Sequence, residues 1–404
     1  MKILHVIASL DPRGGGPMEG IRQISQAAQE WGQQTTVLTL DAPGQPYHEG
    51  NPFRVVALGP GVTGYGYSPR VAPWLREHAG EFDAVVVNGI WQYSSFAVWR
   101  ALHGGPVPYF VFPHGMLDPY FKRAFPLKHL KKWLYWPWAE YRVLRDARAV
   151  LFTCEEERLL AHQSFWLYRC REEVVGYGTA PSPYARAEAL AAFHAAYPAL
   201  RDQRILLFLS RIHGKKGCDL LIDAYARLVR EGRAGDDVLV IAGPGEPGLL
   251  KALRERASGA GVADRIVWTG MLSGAAKWGA LHAADAFVLP SHQENFGIAV
   301  VEALACGTPV LISDKVNIWR EILADGAGLV GTDTAQGSHE LLQRWHALGA
   351  SERQAMRECA AASFRQRFHV SPVARALTRT VDLNRACRGL RAAIEEPSTL
   401  LKKA

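Results

Sequence analysis

Two successive series of short apolar segments, each interleaved with helix-length amphipathic stretches, constrain this chain more than any other feature. Ile3–Ser9, Thr35–Leu40, Ala84–Asn88, Tyr109–Pro113 and Ala149–Thr153 form the first series. Apolar runs of this length, separated by enough chain for a helical crossover, mark parallel strands buried on both faces. After a looser stretch containing Pro181, Pro183 and Pro198, the pattern restarts at Ile205–Ser210. It continues through Val238–Ala242, Ile266–Thr269, Ala286–Pro290 and Pro309–Ile312. A chain of 404 residues exceeds what one hydrophobic core usually holds. The expected architecture is therefore α/β, with one Rossmann-like domain over 1–180 and a second over 201–370. Helical signals run from Ala335 to Leu390, so 371–404 is expected to hold a C-terminal helix that packs back on the first domain. The end of the chain, Glu395-Glu396-Pro397-Ser398 with Lys402 and Lys403, reads as a frayed tail. Two doubly wound domains of this kind enclose a cleft where the carboxyl ends of both sheets meet one ligand.

Composition narrows the partners. With 48% hydrophobic and 21% charged residues the chain has enough apolar side chain for ordinary cores. The formal net charge of +7 favours anionic partners without choosing among them. Cys154, Cys170, Cys218, Cys306, Cys359 and Cys387 are scattered with no C-x-x-C pair, which argues against a disulfide scaffold or a cysteine-built zinc site and for a cytoplasmic setting. The N-terminal run from Met1 to Leu10 is broken by His5 and followed by glycines, so it reads as a buried strand rather than a leader. No stretch approaches 18 consecutive apolar residues.

Chemistry concentrates in the segment from Pro290 to Val310, which reads strand, loop, helix, glycine stop, strand. Gly297 permits a sharp turn, after which the free amides of Ile298 and Ala299 form a helix start suited to phosphate or sugar hydroxyls. Glu294 precedes that start. Glu302 is the only charge in the apolar helix Ile298–Cys306, and a buried carboxylate needs a partner. Vicinal ribose hydroxyls would serve, as would a core arginine or a helix cap, while Glu294 is placed to hold the hydroxyls of a second sugar. A second constellation, Ser210-Arg211-Ile212-His213-Gly214-Lys215-Lys216-Gly217, occupies the first strand-to-helix loop of the second domain. Arg211 and Lys216 would neutralise a diphosphate leaving group without a metal. The alternative is a solvated basic loop.

In the first domain Gly14-Gly15-Gly16-Pro17 follows the first strand and opens a helix at about Glu19. A dinucleotide-binding fingerprint would need glycine where Glu19 stands, although Asp41 after the second strand mimics the ribose acid of such a site. His114 follows a strand end with Gly115 beside it, so it either enters the cleft or is a capped structural histidine. From Asp118 to Arg148 eight Lys or Arg face only Asp118, Glu140 and Asp146, with Phe121, Phe125, Trp133, Tyr135, Trp136 and Trp138 interleaved. That composition describes a basic aromatic surface helix able to lie on anionic headgroups, or else a solvated helix whose aromatics are core. No RNA-recognition strand motif, zinc finger or helix-turn-helix accompanies it, so nucleic acid is not an expected partner.

Taken together, Ser210-Arg211 to Lys216-Gly217 and Glu294-x-Phe296-Gly297 to Glu302 resemble the GT-B retaining glycosyltransferases of family 4, sharply from about Arg204 to Val330 and more loosely before. The resemblance implies two Rossmann-like domains facing each other across a cleft, and a metal-independent enzyme without cofactor. It would transfer sugar from a UDP- or GDP-linked donor to a glycan or lipid-linked acceptor, as in bacterial polysaccharide or glycolipid synthesis. It further implies that Arg211 and Lys216 bind the diphosphate, Glu302 the ribose, and Glu294 with the main chain of Asn295, Phe296, Gly297, Ile298 and Ala299 the transferred sugar. Met271 and Leu272 would meet the nucleobase, Gly15 and Gly16 would face phosphates and acceptor, and His114 would contact the transferred sugar. Asn295 departs from the pattern, since the family usually carries glycine there. Retention is implied by the resemblance only. Other outcomes for such a chain are a nucleotide-sugar 2-epimerase, a phosphorylase, or a non-catalytic adaptor at a glycan or membrane surface, and the basic segment would place the enzyme peripherally on the inner face of the cell membrane.

Overall fold

The computed structural model describes residues 1–14 and 16–395, with side chains as far as Leu383. Gly15 and the tail residues beyond Glu395 lie outside the described residues. The chain forms two compact units, Met1–Tyr177 joined by the helix that starts at Val370, and Gly178–His369.

The first unit is built on a seven-stranded parallel sheet. Its strands are β1 (Lys2–Ile7), β2 (Gln34–Thr39), β3 (Arg54–Ala57), β4 (Ala84–Asn88), β5 (Tyr109–Phe112), β6 (Ala149–Phe152) and β7 (Glu172–Val174), in the order β3-β2-β1-β4-β5-β6-β7. Ile3 lies opposite Thr35 on one side and Ala84 on the other. Every residue of β4, β5 and β6 is buried, as helices on both faces require. The C-terminal helix Val370–Glu395 packs against the first helix, Gly16–Gln29, and Thr378 Oγ donates to Gln33 Oε1 at 2.9 Å. That first helix starts at Gly16, three residues earlier than Glu19, because Gly16 and Pro17 supply its first turn.

The second unit holds six parallel strands: β8 (Ile205–Leu209), β9 (Val238–Ala242), β10 (Ile266–Gly270), β11 (Ala286–Leu289), β12 (Val310–Ser313) and β13 (Gly328–Gly331), in the order β10-β9-β8-β11-β12-β13. The proline-containing stretch before β8 is not a plain linker. It contains the helix Arg186–Ala196, which lies along Gly274–Ala283; a Cβ on Gly279 would come within 2.0 Å of the Ala189 carbonyl oxygen, so the two backbones touch. The segment 118–148 is also corrected. Instead of one surface helix it forms three, Tyr120–Ala124, Pro126–Tyr135 and Glu140–Asp146, broken by Pro126 and Pro137. No helix among the described residues is long and apolar enough to cross a membrane.

Candidate active site

In an open parallel sheet, ligands bind outside the carboxyl ends of the strands where the order reverses. In the second unit that reversal falls between β8 and β11. The loop after β8 carries Arg211 and Lys216, and the loop after β11 carries Glu294 and Gly297. The two loops are fastened to each other. His292 donates its backbone amide to the Lys215 carbonyl at 2.8 Å, and Lys215 Nζ donates to Gln293 Oε1 at 3.2 Å. Gly217 makes the approach feasible: its φ is +67°, and a Cβ there would stand 2.1 Å from the Pro290 carbonyl oxygen.

The backbone of Glu294 is held by the loop after β12. Its amide donates to the Lys315 carbonyl at 2.9 Å, and its carbonyl accepts from the Asn317 amide at 3.0 Å. Asn317 Nδ2 reaches Asn295 Oδ1 at 3.4 Å. Phe296 is buried against Phe368, with ring centroids 5.9 Å apart. Gly297, at φ +78°, caps the helix Ile298–Ala305 and leaves the Ile298 and Ala299 amides without an intrahelical acceptor. Both residues are partly exposed.

Lys216 does not project freely from its loop. It is buried, 6% exposed, and its ammonium is paired with the Glu294 carboxylate. Burial, with Lys215 and Arg211 beside it, pushes the Lys216 ammonium down to about 7. Arg211 by contrast is exposed and has no side-chain partner among the described residues. Glu302 finds its partner in a residue outside the expected set: Lys277, on the helix Gly274–Ala283, donates from Nζ to Glu302 Oε1 at 2.7 Å. Lys277 is the only lysine or acid in that helix, the same lone-charge signal that singled out Glu302. Met271, 74% exposed, and the partly exposed Leu272 directly follow β10. That strand is two places from β8, about 10 Å across the sheet. A cavity of ≈ 530 Å³ lined by Arg186, Arg201, His282 and Arg357 opens beside the starts of β8 and β11, at the opposite sheet edge, and contains none of these residues.

In the first unit the order reverses between β1 and β4. His114, at φ +49°, follows β5 and stacks on Phe112, with Tyr177 edge-on at 5.8 Å. Its Nε2 donates to Asn88 Oδ1 at 3.2 Å, and Asn88 Nδ2 donates to His5 Nδ1 at 3.2 Å. Burial, with His5 nearby, holds His114 at about 3, and burial holds His5 at about 4. A neutral His114 with its Nε2–H engaged presents Nδ1 as an acceptor. Glu157 secures the loop: its Oε1 accepts from the Gly115 amide at 2.6 Å, and its Oε2 from the Thr153 amide at 2.8 Å and hydroxyl at 2.5 Å. Tyr177 reaches past Gly20 to donate to the Gly16 carbonyl at 3.0 Å. Asp41 accepts from Ser9 Oγ at 2.7 Å, the Leu10 amide at 2.8 Å and Thr39 Oγ at 2.8 Å, an inward engagement at odds with a ribose-binding role.

The structure thus gathers Arg211, Lys216, Glu294, Asn295, Phe296, Gly297, Ile298 and Ala299 on adjacent loops of one sheet edge, with Met271 and Leu272 farther along the same edge and Glu302 one turn inside the helix. His114 and Gly16 belong to the other unit, and Gly15 is outside the described residues. Comparison with known proteins follows this division. Residues 192–362 match the family "Glycosyl transferases group 1", and residues 15–178 match "Glycosyl transferase 4-like domain". D-inositol 3-phosphate glycosyltransferase of Gordonia bronchialis is 37% identical over 138 residues, covering 33% of this chain and 30% of that protein. The chain spans about a third to a half of the length of the first curated relatives it matches. Among solved structures, sucrose-phosphate synthase from Thermosynechococcus elongatus superposes with a TM-score of 0.73 at 19% identity, covering 97% of this chain and 99% of that one. Anabaena HepE in complex with UDP-glucose gives a TM-score of 0.72 at 19% identity, covering 95% and 99%. These likenesses establish the fold, two Rossmann-like domains of the GT-B class.

Proposed function

The chain belongs to the group 1 glycosyltransferases, and from that premise we propose that it moves a sugar from a nucleoside diphosphate donor to a glycan or lipid-linked acceptor, without a metal ion and with retention at the anomeric carbon. One observation carries this assignment: a cationic pair, a carboxylate and a bare helix start converge at the reversal point of the second sheet. Arg211, Lys216 and the Ile298 and Ala299 amides would face the diphosphate and take up the charge that develops as the anomeric C–O bond breaks. Glu294 would exchange its contact with Lys216 for sugar hydroxyls. Glu302, oriented by Lys277, would receive the ribose hydroxyls on its other oxygen, and Met271 and Leu272 the base. The acceptor oxygen forms the new bond while its proton passes to the departing phosphate oxygen, so no protein nucleophile is needed. His114 is assigned to the sugar and acceptor, through the accepting Nδ1. HepE is known with UDP-glucose, which favours testing uridine donors first.

Labelled UDP- and GDP-sugars with product analysis test this directly. Label in an acceptor, unchanged by chelator, is the expected result, and thermal shift should show stabilisation by the matching nucleoside diphosphate, about 2.7 kcal/mol at 100 times Kd. Free 2-epimerised sugar nucleotide would replace the assignment with epimerisation, and no response to UDP, GDP or ADP would remove it.

Lys216 adds a pH signature. Near pH 7 the free protein is losing the Lys216 proton, whereas a bound diphosphate holds that proton on. The complex therefore binds more protons than the free form above pH 7, and affinity for nucleoside diphosphate should fall as pH rises from 7 towards 9, by up to about tenfold per unit. Calorimetry in two buffers of different ionisation enthalpy should register proton uptake at pH 8. Proton release, or affinity flat across that window, would contradict it.

A further inference from the structure

The helix Pro126–Tyr135 is mounted with its apolar side outward. None of its ten residues is buried. The side turned to the protein is polar: His129 stacks on Phe165 with centroids 4.7 Å apart, Lys132 Nζ sits 4.5 Å from the centre of the Trp91 ring, and the Tyr135 hydroxyl bonds the Tyr65 hydroxyl. At 100° per residue, Leu127, Leu130, Trp133 and Leu134 fall within about 120° of the opposite side. Their exposures are 78%, 55%, 43% and 61%. This reverses the arrangement that burial in water produces, where the apolar stripe faces the core. Phe125, Trp138, Trp166 and Leu167 are exposed too, and Trp166 lies 6.1 Å from Trp133, so the apolar surface continues onto a second segment of the same unit.

Charge identifies what covers it. Lys122, Arg123, Lys128 and Lys131 are exposed around the apolar residues, and no acid occurs between Asp118 and Glu140. Protein interfaces exclude charge from their centres and mix it at their rims, whereas a ring of unopposed cations around Leu and Trp matches headgroup phosphates above acyl chains. We propose that this face docks on an anionic phospholipid bilayer, with Leu127, Leu130, Trp133 and Leu134 at the acyl boundary and the four cations at headgroup phosphates. This inference goes beyond the transfer reaction and does not depend on it.

Sedimentation of the full chain with vesicles of phosphatidylcholine, alone or mixed with phosphatidylglycerol, tests it. Partitioning onto the mixed vesicles should exceed that onto phosphatidylcholine at least about tenfold and fall with added salt. Leu130→Ser with Leu134→Ser should reduce binding about tenfold, with little change in melting because both side chains are more than half exposed, and Lys128→Gln with Lys131→Gln should remove the preference for anionic lipid. Absence of binding to mixed vesicles, or binding indifferent to both pairs of substitutions, overturns the proposal. So does a wild-type dimer that the leucine substitutions convert to monomer without loss of vesicle binding, which would make the face a protein interface. Nucleotide-induced thermal shift on the same preparations separates the two failures: vesicle binding lost with nucleotide binding kept sinks only this inference.

Discussion

Arg211→Ala should lower kcat for sugar transfer by about 10²- to 10³-fold, the loss seen when one preorganised group that stabilises developing charge is removed. Its melting temperature should barely move, because the Arg211 side chain is exposed and has no partner among the described residues, and such surface changes cost within about 0.5 kcal/mol. Few other positions at the site separate so cleanly. Lys216→Ala would strip a buried partner from Glu294 and mix folding with catalysis, and Glu302→Gln would disturb Lys277. Initial rates with the active donor, beside a thermal melt, decide the matter. A variant with normal turnover would mean that the diphosphate is neutralised elsewhere.

Glu157→Ala should produce the largest loss of stability. One buried carboxylate satisfies the Gly115 amide and both the amide and hydroxyl of Thr153. Its removal would take away the acceptor of three buried hydrogen bonds, at a cost of about 3 kcal/mol or more. In a unit of this size that lowers the melting temperature by about 6–12 °C. Because Gly115 follows His114, turnover of the surviving folded protein should fall as well. Glu157→Gln keeps one accepting oxygen and should lie between the wild type and the alanine variant. Calorimetry on the three proteins checks the order, and an alanine variant that melts with the wild type would show that the loop is held by other contacts.

The strands visible in the sequence were those near the middle of each sheet, with β2 and β10 farther out. β4, β5, β6, β11 and β12 are buried at every residue, so their apolar runs are nearly continuous. The unrecognised strands, β3, β7 and β13, all lie at sheet edges: Arg54 in β3 and Glu172 with Glu173 in β7 break the apolar run, and β13 is only Gly-Leu-Val-Gly, too short and glycine-rich to stand out. The same logic divides the site. Gly297 and the lone charge Glu302 stood out because each violates its local pattern. Lys277 carried the same mark in a less distinctive helix. The burial of Lys216 was illegible, since its cause is the approach of the β11 loop across Gly217, a contact between positions more than seventy residues apart. Glu157 and Asn88 were hidden for the same reason: their bonds to the His114 loop join segments that only the sheet order brings together.

The C-terminal helix has a consequence for how such a chain is assembled and exchanged. Because the stretch after Val370 completes the unit that begins at Met1, residues 178–369 amount to an insertion within a host. The unit that carries Arg211, Lys216 and Glu294 is one uninterrupted cassette, replaceable in a single exchange of coding sequence. Its host cannot be obtained by cutting once, since any simple truncation at the first junction also strips the helix that covers Gly16–Gln29.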